Sequence, residues 1–200
     1  MGILSKPPRR TREETKACIM AKADELFRQF GFGKTTVADI AGELGMSTAN
    51  IYKFFPSKNA IMESSAARNV GILKESVCRA ISEQTSALKQ LEMLVLTIFR
   101  FHKELLRNER QIFRLVGTAI EQNWDCIRSY NEFLLQTIST LVQRGIEKGE
   151  FRVTDPEAAA IILRDCLSIA LHPHLRHDFN HDESEERVIA QVHFLGKALQ

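Results

Sequence analysis

Of the chain's 200 residues 44% are hydrophobic, enough for a sizeable core, while 10 glycines and 5 prolines are too few for a turn-rich β-sandwich. The net charge of +2 names no partner by itself, but its distribution is uneven: residues 1–58 hold 10 Lys+Arg against 6 Asp+Glu, and the rest hold 17 against 19. No apolar run reaches the roughly twenty residues of a membrane span, and Cys18, Cys78, Cys126 and Cys166 lie too far apart for a disulfide framework or a C-x-x-C site, which suits reduced thiols in a cytoplasmic protein.

Residues 1–12 contain Lys6-Pro7-Pro8-Arg9-Arg10 and lack the apolar segment of a signal peptide, so they are expected to form a flexible basic arm. From Glu13 to Phe30, apolar residues at Ile19, Ala23, Leu26, Phe27 and Phe30 predict a helix ended by Gly31 and Gly33. Thr36 is placed to cap the next helix, where Val37, Ile40, Ala41 and Leu44 recur at i, i+3, i+4 and i+7 opposite Asp39 and Glu43. Gly45 supplies the left-handed backbone that ends it, and Ser47 follows as the cap of a second short helix. In that helix Ile51 and Phe55 fall on one side, leaving Thr48, Ala49, Tyr52 and Lys53 facing outward.

Helix, short glycine turn, helix is the unit that lays its second helix in the major groove of DNA. On that reading Thr48 and Ala49 allow close approach to base edges, and Lys53 reaches guanine O6 or N7. Tyr52 and Lys58 meet phosphates, and Thr36 combines capping with a phosphate contact. The basic excess of residues 1–58 serves the sequence-independent part of the affinity; the N-terminal arm either lies along the DNA backbone or is a solvated tail.

The text F-x-x-F-G-F-x-x-T-T-V-x-D-I-A-x-x-L-G-M-S-x-x-x-I-Y-x-F-F-x-S-K closely resembles the DNA-binding domain of the tetracycline-repressor (TetR) family of bacterial transcription regulators. It departs where the family most often has Tyr-X-His-Phe and this chain has Tyr52-Lys53-Phe54-Phe55. The resemblance implies an all-α protein in which an N-terminal three-helix bundle with the helix-turn-helix is followed by a larger helical regulatory and dimerisation domain. The expected divisions are a basic arm over 1–12, the DNA-binding domain over 13–58 and the ligand-binding and dimerisation domain over 59–200. The long helix opened by Ser57 and Lys58, with Met62, Ala66, Val70, Leu73, Val77 and Ile81 as its stripe, is by resemblance the connector between the two domains.

Three further helices are expected over Leu88–Leu106, Gln111–Ile120 and Trp124–Lys148. The first has Leu91, Leu94, Val95, Ile98, Phe99, His102 and Leu105 inward. Gly149-Glu150-Phe151-Arg152 then turns into a new start, with Asp155 as cap and Pro156 at the first helical position. This text also recurs in TetR-like regulatory domains. The helix from Pro156 to about Leu171 is apolar on almost every side and too short for a bilayer, so it needs covering all round. A homodimer seam formed with the helix over Glu183–Gln200 supplies that cover, with Ile162, Cys166, Ile169, Val188, Val192 and Leu195 as the expected contacts.

Phe99, His102, Phe113, Val116, Ile120, Trp124 and Phe133 concentrate aromatic surface on consecutive helices, with His102 and Gln122-Asn123 as polar groups. Core packing accounts for such a cluster, and so does a cavity for a small apolar effector; the resemblance implies the second. His172, His174, His177 and His181 have metal-capable spacing, but Pro173 interrupts them and a polar surface loop is the commoner meaning, so no metal or other cofactor is expected. No phosphate-cradling glycine loop or paired nucleophile and base is present, so an enzyme is not expected. The expected function is a transcriptional regulator that binds a double-stranded DNA operator, usually a repressor released by a small effector; the alternative is an architectural or partner-binding DNA-associated protein without a ligand.

Overall fold

The computed structural model describes residues 10–171 and 184–200, and every regular element among them is a helix. The histidine-rich segment His172–His181 and the first nine residues of the basic arm lie outside the described residues. Two compact units result, one ending at Ser65 and the other beginning at Ala66.

The first unit holds α1 (Arg12–Phe30), α2 (Val37–Glu43), α3 (Thr48–Tyr52) and the opening of α4 (Lys58–Ser82). A reciprocal cap starts α1: the Thr11 hydroxyl accepts from the Glu14 N–H at 3.2 Å and the Glu14 carboxylate accepts from the Thr11 N–H at 2.8 Å. Ile19, Ala23, Leu26 and Phe27 are buried as their spacing predicts, but Phe30 is 50% exposed. That expectation fails because the helix ends at once in Gly31, at φ 78°, and the chain turns inward through Thr35 instead. Thr35 is buried and its hydroxyl donates to the Gly31 carbonyl at 2.9 Å. Asp24, also buried, accepts from the Ser65 hydroxyl and so ties α1 to the start of α4.

In the second unit α5 (Ala87–Asn108) is central, touching α6 (Arg110–Glu121), α7 (Asp125–Glu147), α9 (Ser168–Leu171) and α10 (Glu185–Ala198). All seven of its expected inward residues are buried. Lys74 of α4 donates to the Ser129 carbonyl of α7 at 2.9 Å and to its hydroxyl at 2.7 Å. Arg100 of α5 pairs with Glu185 of α10 through two nitrogens, and Glu92 of α5 accepts from Lys89 and lies 2.8 Å from His193 Nε2 of α10. Burial would raise the Glu92 carboxyl, but the hydrogen bonds and charges of Lys89 and His193 outweigh it and hold it below its ordinary value.

The turn after α7 locks these helices together. Glu150 accepts from the Ser86 hydroxyl at 2.9 Å and the Ala87 N–H at 2.8 Å, satisfying donors at the start of α5. Phe151 is buried against Gly145, and the Arg152 N–H donates to the Leu199 carbonyl at 2.6 Å. Asp155 then caps α8 (Pro156–Cys166), accepting from the Glu157 and Ala158 N–H groups at 3.1 and 3.0 Å.

The expected single helix through Leu171 is two helices, α8 and α9, separated at Leu167, and α8 is not enclosed by its own subunit. Ala160 and Leu163 face inward, where α8 packs on α7, while Ile162 on the open side is 59% exposed.

Candidate nucleic-acid interface and regulatory cluster

A five-residue helix is too short to persist alone, so α3 depends on its cap and its anchors. Ser47 accepts from the Asn50 N–H at 3.2 Å, and Ile51 and Phe55 are buried. Their burial turns the opposite side outward, so Ser47, Thr48, Ala49, Tyr52 and Lys53 are all exposed. The turn feeding this helix has Gly45 at φ 61°, a conformation that costs glycine nothing.

Thr36 caps α2 reciprocally with Asp39: its oxygen accepts from the Asp39 N–H at 3.1 Å, while its N–H and hydroxyl donate to the Asp39 carboxylate at 2.7 and 2.8 Å. These hydrogen bonds, followed by the charge of Lys58, hold the Asp39 carboxyl below its ordinary value. The hydroxyl proton of Thr36 is therefore engaged within the cap, and a phosphate contact from it requires the rotor to turn. Lys58 stands half-buried at the start of α4.

The aromatic cluster of the second unit is mostly packed. A small cavity of about 20 Å³, the room of one water, is lined by Val70, Leu73, His102, Val116, Ile120, Ile127 and Tyr130. His102, Val116 and Ile120 were expected there; Phe99, Phe113, Trp124 and Phe133 do not line it. Phe99 is fully buried core, and the Phe133 ring lies 5.4 Å beneath the Lys74 ammonium. The Trp124 indole N–H donates to the Gln122 side chain at 3.0 Å, and Asn123 takes φ 50° to make the bend between α6 and α7, so these polar groups shape the turn. The sequence reading missed Tyr130, whose buried phenol donates to the Leu171 carbonyl at 3.3 Å and is pushed up by desolvation.

Of the expected dimer contacts, Ile162 and Cys166 are exposed and Leu195 is half-buried beside Ile162, whereas the Ile169 side chain lies outside the described residues. Val188 and Val192 point into the core of their own subunit, where α10 packs on α5, and are not available to a partner. The large apolar residue that α10 exposes most is Phe194, at 75%.

Two helical units, the first presenting a capped helix-turn-helix and the second built on a long central helix, define the class of helical DNA-binding regulators. The chain belongs to the tetR family of bacterial regulatory proteins. The model of that family's DNA-binding region matches residues 19–64, and that of the Tetracyclin repressor-like, C-terminal domain matches residues 87–192. A probable HTH-type transcriptional regulator of Bacillus subtilis, YttP, is 31% identical over 68% of this chain and 65% of its own. The nucleoid occlusion factor SlmA of Aliivibrio fischeri is 24% identical over 92% of this chain and 93% of its own. Among solved structures, a transcriptional regulator from Cytophaga hutchinsonii superposes with a TM-score of 0.72 at 20% identity, covering 93% of this chain and 98% of the other. The protein is accordingly a DNA-binding transcription regulator and not an enzyme. Among the described residues no helix is long and apolar enough to cross a membrane.

Proposed function

We propose that this chain acts as a homodimeric repressor that reads a two-fold-symmetric operator with α3 and leaves it when a small apolar effector occupies the second unit. The observation that carries this reading is the outward row Ser47, Thr48, Ala49, Tyr52 and Lys53 on a helix fixed from behind by Ile51 and Phe55. Thr48, Ala49 and Lys53 meet base edges; Ser47, Tyr52 and Lys58 position the helix, the latter two on phosphates. Thr36 acts first as the cap that aims α2, and reaches a phosphate only by giving up its hydrogen bond to Asp39.

The dimer seam in this reading is the open side of α8 and α10, with Ile162, Cys166, Leu195 and Phe194 covered by a second copy. The effector enters by widening the small cavity at His102, Val116 and Ile120, against the Val70 and Leu73 side chains of α4. Binding energy that depends on this widening is the differential affinity that shifts the operator equilibrium.

Footprinting of the purified protein on genomic DNA, followed by a thermal-shift screen of compounds related to the products of the neighbouring genes, tests both halves. Protected two-fold sites and a compound that both raises the melting temperature and abolishes protection are expected. Protection without any stabilising compound would leave a regulator or architectural protein without a ligand.

A further inference from the structure

We infer that Arg12 is a positioning residue for the reading helix, clamping its C-terminal end, and not one more phosphate contact. The inference rests on the assignment of α3 as the reader. At the far end of that helix the Lys53 N–H bonds the Asn50 carbonyl, and the Phe54 and Phe55 N–H groups bond Ile51. The Lys53 carbonyl is left pointing out of the helix, and Arg12 Nη2 donates to it at 3.3 Å. The same guanidinium lies 5.4 Å from the centre of the Phe54 ring.

One turn further along α1, the Lys16 ammonium lies 5.5 Å from the centre of the Phe55 ring. Residues four apart share a helix face, so two cations of α1 meet two successive rings after α3. Arginine suits the first position because a planar guanidinium stacks by its face while donating in its plane. The Phe54 side chain has no hydrogen-bonding atom, so the side-chain polar tie from α1 to this end of α3 is the bond from Arg12 to the backbone of Lys53, the residue whose side chain is assigned to guanine. Ser47 holds one end of the reader and Arg12 the other.

A phosphate role and a clamp role separate because Phe54→Leu removes the ring without removing charge. The experiment uses fluorescence anisotropy with the full chain, on a duplex selected from random-sequence DNA and on a scrambled duplex of the same composition, across a salt series. Arg12→Gln and Phe54→Leu are each expected to cut the ratio of selected to scrambled affinity about three- to tenfold, the scale of one exposed cation–π contact with a hydrogen bond. The double variant should be no worse than the worse single, Phe54→Leu should keep the wild-type salt slope, and Phe54→Tyr should restore the ratio. Arg12 is exposed and leucine keeps most of the volume at Phe54, so melting curves should stay cooperative; should Phe54→Leu unfold, Arg12→Gln alone still decides, by whether its loss falls on the selected duplex or equally on both. Equal weakening on both duplexes by Arg12→Gln, with the slope falling by about 0.9, would overturn the clamp, and so would additive losses in the double variant. Lys53→Ala in the same series reports on the reader assignment separately: equal losses on both duplexes overturn that assignment, whereas the clamp stands or falls on the Arg12–Phe54 coupling.

Discussion

Adding one methyl group at Gly145 should disturb three helices at once. A Cβ built there would stand 2.0 Å from Cδ2 and 2.4 Å from Cε2 of Phe151, so the ring has to move. It is poorly free to do so: Phe151 is buried, and its N–H and that of Glu150 both donate to the Gly145 carbonyl, at 3.1 and 2.8 Å. A displaced Phe151 drags Glu150 from the start of α5 and Arg152 from the Leu199 carbonyl, loosening the seats of α8 and α10. Overpacking of this kind costs about 1–3 kcal/mol, and alanine returns about 1 kcal/mol of helix propensity relative to glycine. Because the added carbon would overlap three atoms of a buried ring, the overpacking falls at the upper end of that range, about 2–3 kcal/mol, and the net loss should be about 1–2 kcal/mol, or about 2–8 °C in melting temperature for a chain of this size. Differential scanning calorimetry of Gly145→Ala, alone and with Phe151→Leu, measures it, and the second change should recover part of the loss. A melting temperature at or above that of the parent would mean that the ring yields freely and that the turn does not lock these helices.

Four further outcomes follow from the same contacts. Thr36→Ala removes a reciprocal cap and should cost about 1 kcal/mol in denaturant unfolding, with serine at the same position retaining most of it. Glu92 has its folded value below the ordinary 4.5, so its stabilising contribution is present above that pH and lost as pH falls through the folded value. Glu92→Gln should therefore lower the melting temperature at pH 7, and the difference from the parent should shrink steadily below pH 4.5; a difference independent of pH would refute the ion-pair account. Ile162→Glu and Phe194→Glu place a carboxylate on the proposed seam and should yield monomers or aggregates in sedimentation velocity, while an intact dimer in both variants would remove that seam. Lys58→Ala should weaken DNA binding evenly across sequences and reduce the salt slope by about one unit; an unchanged slope would take Lys58 off the phosphates.

The head of the molecule was legible because its signals are local. Thr36, Gly45 and Ser47 act within three residues of themselves, and the spacing of Ile40, Ala41 and Ile51 selects one side of a short helix. The inner face of α5 was legible for the same reason. What periodicity leaves open is which of two apolar sides faces the subunit's own core. On α10, Val188 and Val192 turn inward and Phe194 outward, a choice made by packing on α5, where Gly196 meets Leu88. The capping of α5 by Glu150 joins residues 64 apart in the chain at Ser86, beyond any local pattern. Gln122 and Asn123 looked like orienting groups for a ligand because their type is right; the backbone of Asn123 at φ 50° and the bond from Gln122 to Trp124 commit them to a turn. The break at Leu167 has neither glycine nor proline to announce it.

The central claim is that the outward face of α3 reads base edges in a two-fold site. Selection of binding duplexes from random-sequence DNA by the purified chain, with Lys53→Ala run in parallel, tests it most directly. The expected result is an enriched inverted repeat with half-sites about one helical turn or a multiple apart, on which Lys53→Ala loses about 1–3 kcal/mol while its affinity for scrambled DNA changes little. Absence of an enriched sequence, or an equal loss on selected and scrambled duplexes, would contradict it.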